Sequence, residues 1–274
     1  MKAKKIRIHP SVLLFTAFFY TDGKLALFLW LILFVTMHEF SHITTALAFG
    51  CKFQSISLSP LGERAVIKNI ERLGFIKRLA VYAAGPLSNF IAVFFIFLLF
   101  GNSFLIKINL FIGLFNLMPV MPLDGGMIAF HALGRKIGVL NSARIIISLS
   151  KAAGYIILAC GLVQTVLFPF NLSLLLIGMF IIHSQRHAYS GIFLRFLEGV
   201  ASRKVPGNQI VPVKMFASGK TTPLCKIIRI FSYDSFCFIC VKHKGGLSYI
   251  SQDEIIRHYY DGRALATLEE VLNS

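Results

Sequence analysis

The sequence is poor in acid: Asp and Glu number 12 against 28 Lys and Arg, and charged residues make up only 15% of 274. It is also poor in cysteine, with five. An odd, small number excludes a compact scaffold held together by paired disulfides. Cys225, Cys237 and Cys240 lie in a tail expected to be cytosolic, where thiols stay reduced. Cys237, Cys240 and His243 have a metal-like spacing, but positions three apart on a strand point to opposite faces, so they read as buried strand thiols without chemistry. No small-residue cleavage site follows the first apolar stretch, Val12–Tyr20; Thr21-Asp22-Gly23-Lys24 follows instead, so a retained segment is expected rather than a secretory signal. Apolar residues are abundant. The chain is 56% hydrophobic with 27 Phe, and its mean hydropathy is +0.72. Those values describe an integral membrane protein with a modest soluble part. In a soluble protein a net charge of +16 would point to nucleic acid. Here the basic residues cluster between apolar runs and act as topology determinants, so no direct nucleic-acid binding is expected.

The apolar runs predict an α-helical polytopic membrane protein of about six transmembrane segments: 11–20, 25–50, 79–100, 105–117, 152–168 and 172–182. Lys2, Lys4, Lys5 and Arg7 precede the first. Lys52, Arg64, Lys68, Arg72, Lys77 and Arg78 follow the second, and Arg135, Lys136, Arg144 and Lys151 follow the fourth. Arg186 and Arg195 follow the sixth. The opposite connections carry only Lys24, with Lys107 at a span edge, which puts both termini in the cytosol. From about residue 200 the composition turns polar. Strands over 210–217, 236–242 and 247–251, with helical patterns from Pro223 and Asp253, predict one small α/β module in β-α-β-β-α order. The expected domains are therefore 1–199 and 200–274. So small a module is marginal alone and expected to pair with another copy.

Within the second span stands His38-Glu39-Phe40-Ser41-His42. Ionisable residues at membrane depth cost several kcal/mol and call for a reason. Positions i and i+4 of a helix lie one above the other, so both imidazoles can face one zinc ion. Glu39 is turned by about 100° and is free to take a proton from a water that the metal activates. The bland alternative is a pair of histidines hydrogen-bonded within a bundle. Further on, Asn116-Leu-Met-Pro119-Val-Met-Pro122-Leu-Asp124-Gly125-Gly126 breaks the helix at membrane depth, where irregular backbone survives only inside protein or beside a watery cavity. Asp124 is either a capping carboxylate or a third zinc ligand completing a His2Asp site. Ala84–Asn89 offers small residues for close helix contact. His183 and His187 read as juxtamembrane polar residues. Ser55–Ser59 alternates like a strand, and is either an ordinary hairpin or a strand offering its edge to an extended substrate.

The two motifs in this order resemble the site-2 protease family of intramembrane zinc metalloproteases, and the six-span layout with a cytosolic tail resembles its sporulation branch most. That resemblance implies His38, His42 and Asp124 as ligands of one zinc ion, Glu39 as catalytic acid/base, and Asn116, Pro119 and Pro122 along the substrate cleft. It implies a CBS domain in the tail, a module that commonly binds adenine nucleotides such as ATP and self-associates. It further implies a membrane-associated substrate, the precursor of sigma-K, cleaved in the mother-cell membrane around the forespore under inhibitory membrane partners. Two other roles fit part of the pattern. One is a protease cutting an anti-sigma factor; the other is a CBS-regulated metal transporter. Spans three, five and six hold almost no ionisable residues, which opposes the transporter.

Overall fold

A computed structural model describes residues 5–8, 20, 23, 25–59, 62–101, 103–168, 171–201, 213–243, 246–262 and 265–272. The expected first span, apart from Tyr20, lies outside the described residues. The chain forms two compact units, Met1–Pro119 with Leu123–Ile128, and Val120–Pro122 with Ala129–Ser274.

The first unit is built on three helices: α1 Leu25–Ala48, α2 Phe75–Phe100 and α3 Ser103–Asn116. Each follows an apolar run long enough to bury one face on its neighbours and leave the other greasy. Phe34 of α1, Ile96 of α2, and Leu105, Ile108 and Ile112 of α3 form one core cluster. Outward, Leu29, Leu33, Phe94, Phe97 and Leu98 are exposed, as lipid-facing residues are. Gly101 ends α2: its φ is +60, and its N–H donates to the Ile96 carbonyl. A left-handed C-cap of this kind suits glycine, which has no Cβ to clash. The polar stretch after α1 forms β2 Lys52–Ser59 and β3 Gly62–Lys68, an antiparallel hairpin, while β1 Lys5–Ile8 pairs with β2 in parallel. The sheet order is β1-β2-β3. Strand β2 is thus central: of the two readings of 55–59 the hairpin is what forms, and the edge that the substrate-strand reading would offer is occupied by β1. Among the described residues the outer edge of β3 has no partner strand.

The second unit contains most of α4 (Asp124–Ile137), then α5 Val139–Leu167, α6 Ser173–Ser184 and α7 Ala188–Ala201. Helix α5 begins 13 residues before the apolar run that predicted it, and α7 was not predicted from its sequence. Helices α5 and α6 pack through glycines. A Cβ on Gly161 would lie 2.6 Å from the Leu175 nitrogen, and one on Gly178 would lie 2.8 Å from the Leu158 nitrogen. Small residues let backbones approach closely where no hydrophobic effect drives helices together. The tail supplies β4 Val213–Ser218, the short α8 Leu224–Ile227, β5 Phe236–His243, β6 Gly246–Ser251, α9 Gln252–Tyr260 and α10 Leu268–Leu272. Strands β4 and β5 are parallel, β5 and β6 antiparallel, which is the β-α-β-β-α order expected. Gly138, with φ +93, turns α4 into α5 against the tail, where an added Cβ would meet the Arg229 carbonyl at 2.2 Å. The Val139 N–H donates to the Phe231 carbonyl there.

Among the described residues three helices are long and apolar enough to cross a membrane: Leu25–Ala48, Phe75–Leu99 and Val139–Leu167. Helices α3, α6 and α7, of 14, 12 and 14 residues, are apolar but short.

Candidate active site

The site is built entirely within the first unit. Helix α1 puts His38 and His42 on its buried face, four residues apart. Asp124 is the first residue of α4. Gly125 lets that residue come in: a Cβ there would lie 2.1 Å from the Leu117 carbonyl oxygen and 2.6 Å from that of Met118. Any side chain at 125 would push the start of α4 away from the preceding loop.

The three side chains meet. His38 Nε2 lies 3.0 Å from Asp124 Oδ2, His42 Nε2 lies 3.1 Å from the same oxygen, and the two Nε2 atoms are 3.2 Å apart. This is the one group of potential metal-ligating side chains among the described residues. The far side of each ring is already engaged. His42 Nδ1 donates to the Val81 carbonyl at 2.6 Å, and His38 Nδ1 to Asn89 Oδ1 at 2.6 Å.

The His38 bond has a logic that can be traced outward. The Leu105 carbonyl can only accept, so it fixes the amide of Asn109, whose Nδ2 donates to it at 3.1 Å. Asn109 Oδ1 therefore accepts from Asn89 Nδ2 at 3.0 Å. Asn89 Oδ1 is left to accept from His38, which must carry its proton on Nδ1. Val81 imposes the same tautomer on His42. Both Nε2 atoms consequently present lone pairs, and they face each other and a carboxylate oxygen.

Three electron-rich atoms clustered away from water repel one another unless a cation sits between them. Zinc ligands stand about 2.0–2.2 Å from the ion, hence about 3.3–3.6 Å apart around a tetrahedron. Separations of 3.0–3.2 Å are within a few tenths of an ångström of that. The donor set, two neutral imidazoles and a carboxylate, is one that zinc takes in catalytic sites. The residues present fit the metal.

Glu39 is half-buried on the same helix and is not one of the converging three. Asn116 ends α3 with its Nδ2 bonded back to the Ile112 carbonyl at 3.0 Å. Pro119 is exposed and Pro122 is half-buried in the second unit, after a cis Met121–Pro122 bond. His183 and His187 are exposed, while Cys237 is buried in its strand.

Sequence reasoning missed the supporting residues. Gly85 and Asn89 were read only as part of a small-residue helix contact, and Asn109 and Val81 not at all. A Cβ on Gly85 would lie 2.3 Å from His42 Nε2 and 2.5 Å from His38 Nε2, so it would fill the space into which both rings point. Asn89 and Asn109 are fully buried, and an amide buried unpaired costs about 1–3 kcal/mol. Two asparagines inside apolar helices were the available signal. Replacing Asn89 by Leu, which cannot accept from His38, is expected to weaken zinc binding by about 10–100-fold. Zinc retained during titration with a competing chelator checks this, with Asn89→Asp, still an acceptor, retaining more.

The fold and this site are similar to those of membrane metalloproteases of the site-2 protease class. Residues 102–161 match Peptidase family M50, and the chain is a homologue of that family's zinc metalloproteases. It is 33% identical over 167 residues to the zinc metalloprotease MJ0392 of Methanocaldococcus jannaschii, covering 57% of this chain and 47% of that protein. The chain thus spans about half the length of that relative. It is 25% identical over 285 aligned positions to stage IV sporulation protein FB of Bacillus subtilis, covering 98% of this chain and 96% of that one. Among solved structures it is similar to the site-2 protease from Methanocaldococcus jannaschii, with a TM-score of 0.56 and 26% identity over 77% of this chain and 96% of that chain.

Proposed function

We propose that the protein is an intramembrane endopeptidase in which His38, His42 and Asp124 hold one zinc ion and Glu39 is the acid/base. The observation that carries this reading is the convergence of three lone-pair atoms whose partners leave them nothing else to bind. Bound there, zinc supplies Lewis acidity toward a peptide carbonyl and an activated water. The Glu39 carboxylate takes a proton from the attacking water as the carbon–oxygen bond forms, and delivers it to the leaving amine nitrogen as the carbon–nitrogen bond breaks. A helical amide is shielded by its own hydrogen bond, so the substrate must unwind first. An extended segment can then add to the outer edge of β3, which has no partner strand among the described residues. Asn116, Pro119 and Pro122 line the cleft in this reading.

The same reading takes six spans with both termini in the cytosol, a membrane domain over 1–199 and a CBS-like tail over 200–274 with ATP as its ligand. The β-α-β-β-α order supports the tail assignment. One face of its sheet exposes Val213, Met215, Phe238, Leu247 and Tyr249. Lys242, paired with Leu247, is also exposed on this face; the apolar remainder of the face supports a homo-oligomer. The substrate is the membrane-associated precursor of sigma-K, cleaved in the mother-cell membrane under inhibitory membrane partners. The similarity to stage IV sporulation protein FB over nearly both full lengths supports this.

Co-expression tests the substrate directly. The precursor of sigma-K is expected to lose its pro-sequence in the presence of the wild-type chain, read as a mobility shift, while a membrane anti-sigma factor stays intact. Cleavage of the anti-sigma factor alone would reverse the assignment and leave the chemistry standing.

A further inference from the structure

The second unit contains a cavity of about 360 Å³ between the start of α5, helix α7 and the tail. Its lining includes Leu140 of α5, Tyr189, Ser190 and Phe193 of α7, Tyr259 of α9, and Arg229, just beyond α8. Arg229 is the only charged residue of the nine that line it. Among the described residues no carboxylate pairs with that guanidinium. Three hydroxyls surround it, and the rest of the wall is apolar apart from Cys225. Burial pushes the Tyr259 hydroxyl above its ordinary range, which keeps it neutral and able to donate. A lone cation with hydroxyl donors above apolar walls selects an anion carrying an apolar body.

The position of the cavity narrows the class. Helix α5 has 29 residues, hence a length of about 43 Å, against about 30 Å of hydrocarbon. Its first turns carry Arg144 and Lys151 and follow Arg135 and Lys136, whereas its last 16 residues, 152–167, carry no charge. The uncharged end occupies the hydrocarbon, so the excess length projects on the basic side, and a tilt of about 30°, within the range of membrane helices, keeps Leu140 at headgroup depth. Helix α7 fits an interfacial helix: Phe193 faces the cavity, while Leu194 is 60% exposed and free to contact acyl chains. Basic pockets beside membrane helices on the cytosolic side are where acidic lipid headgroups are held.

We propose that this cavity binds the phosphate head of an anionic phospholipid, with Arg229 as its counter-ion, Ser190, Tyr189 and Tyr259 as donors, and the acyl chains leaving along Leu140 and Leu194. The full chain, purified in mild detergent, is incubated with dioleoylphosphatidylglycerol or dioleoylphosphatidylcholine, and lipid retained per chain is measured by mass spectrometry. Wild type is expected to retain phosphatidylglycerol and to gain melting temperature from it, and to do neither with phosphatidylcholine. Arg229→Gln is expected to lower retention at least tenfold. Ser190 is exposed, so Ser190→Asp tests the same point by adding a carboxylate at a position that tolerates change. An unaltered circular-dichroism spectrum and an unaltered melting temperature without lipid report that either variant is folded. Equal retention by wild type and both variants would overturn the proposal. So would a melting shift produced by ATP or inorganic phosphate when phosphatidylglycerol gives none, since that transfers the site to a soluble phosphate.

Discussion

Glu39→Gln is expected to purify with its full zinc content and to cleave on the order of 10²–10⁴-fold more slowly than wild type. The amide has the shape of the carboxylate, so the packing around a half-buried position changes little. It cannot accept a proton from water or hold one for the departing amine. The three converging ligand atoms belong to His38, His42 and Asp124, so nothing in the metal's surroundings is removed. Zinc by elemental analysis and substrate cleavage by gel, on the same preparation, separate the possible results. Loss of zinc would make Glu39 a ligand, and full activity with full zinc would end its role as acid/base.

Gly85→Ala is expected to do the opposite, losing zinc first and activity as a consequence. One methyl carbon placed 2.3 Å from His42 Nε2 and 2.5 Å from His38 Nε2 occupies the volume into which both lone pairs point. The rings cannot easily swing aside, because each is tethered through Nδ1 at 2.6 Å. Relief requires breaking those bonds or moving α2 away from α1. Either outcome should lower bound zinc to less than about a tenth of wild type, given the 10–100-fold cost of disturbing such supporting contacts. Gly191→Ala is the matched control, since a Cβ there meets nothing within 4 Å and zinc should stay complete. A Gly85→Ala protein with a full complement of zinc would mean that the metal lies elsewhere than between the two rings.

The pairing of His38 with His42 was legible because hydrocarbon penalises polar side chains and helical periodicity says which two share a face; the residues alone left Asp124 open between a cap and a ligand, and the family resemblance joined it to them. The β-α-β-β-α order of the tail was legible from alternation and turn residues. What could not be read was contact at long range. Asn109 looks like any polar residue in an apolar helix until folding brings it to Asn89, 20 positions away in sequence. Gly85 looks like helix–helix packing, and only the ring positions reveal what its missing Cβ makes room for. The early start of α5 escaped because Arg144 and Lys151 interrupt the hydropathy signal without interrupting the helix. The occupied edge of β2 escaped because its partner is a short basic strand from the far N-terminus.

That strand bears on the order of assembly. Lys5 pairs with Ser55 and Ile8 with Leu58, 50 positions apart. During synthesis β1 therefore emerges long before the chain that completes it, and α1 with its two histidines must be made in between. The sheet is a late, high-contact-order event, closing only after the hairpin has formed. Until then β1 and the hairpin both offer bare backbone to any other strand within reach. A fusion partner attached directly before Lys5 is therefore expected to slow maturation of the nascent protein more than one attached after the tail.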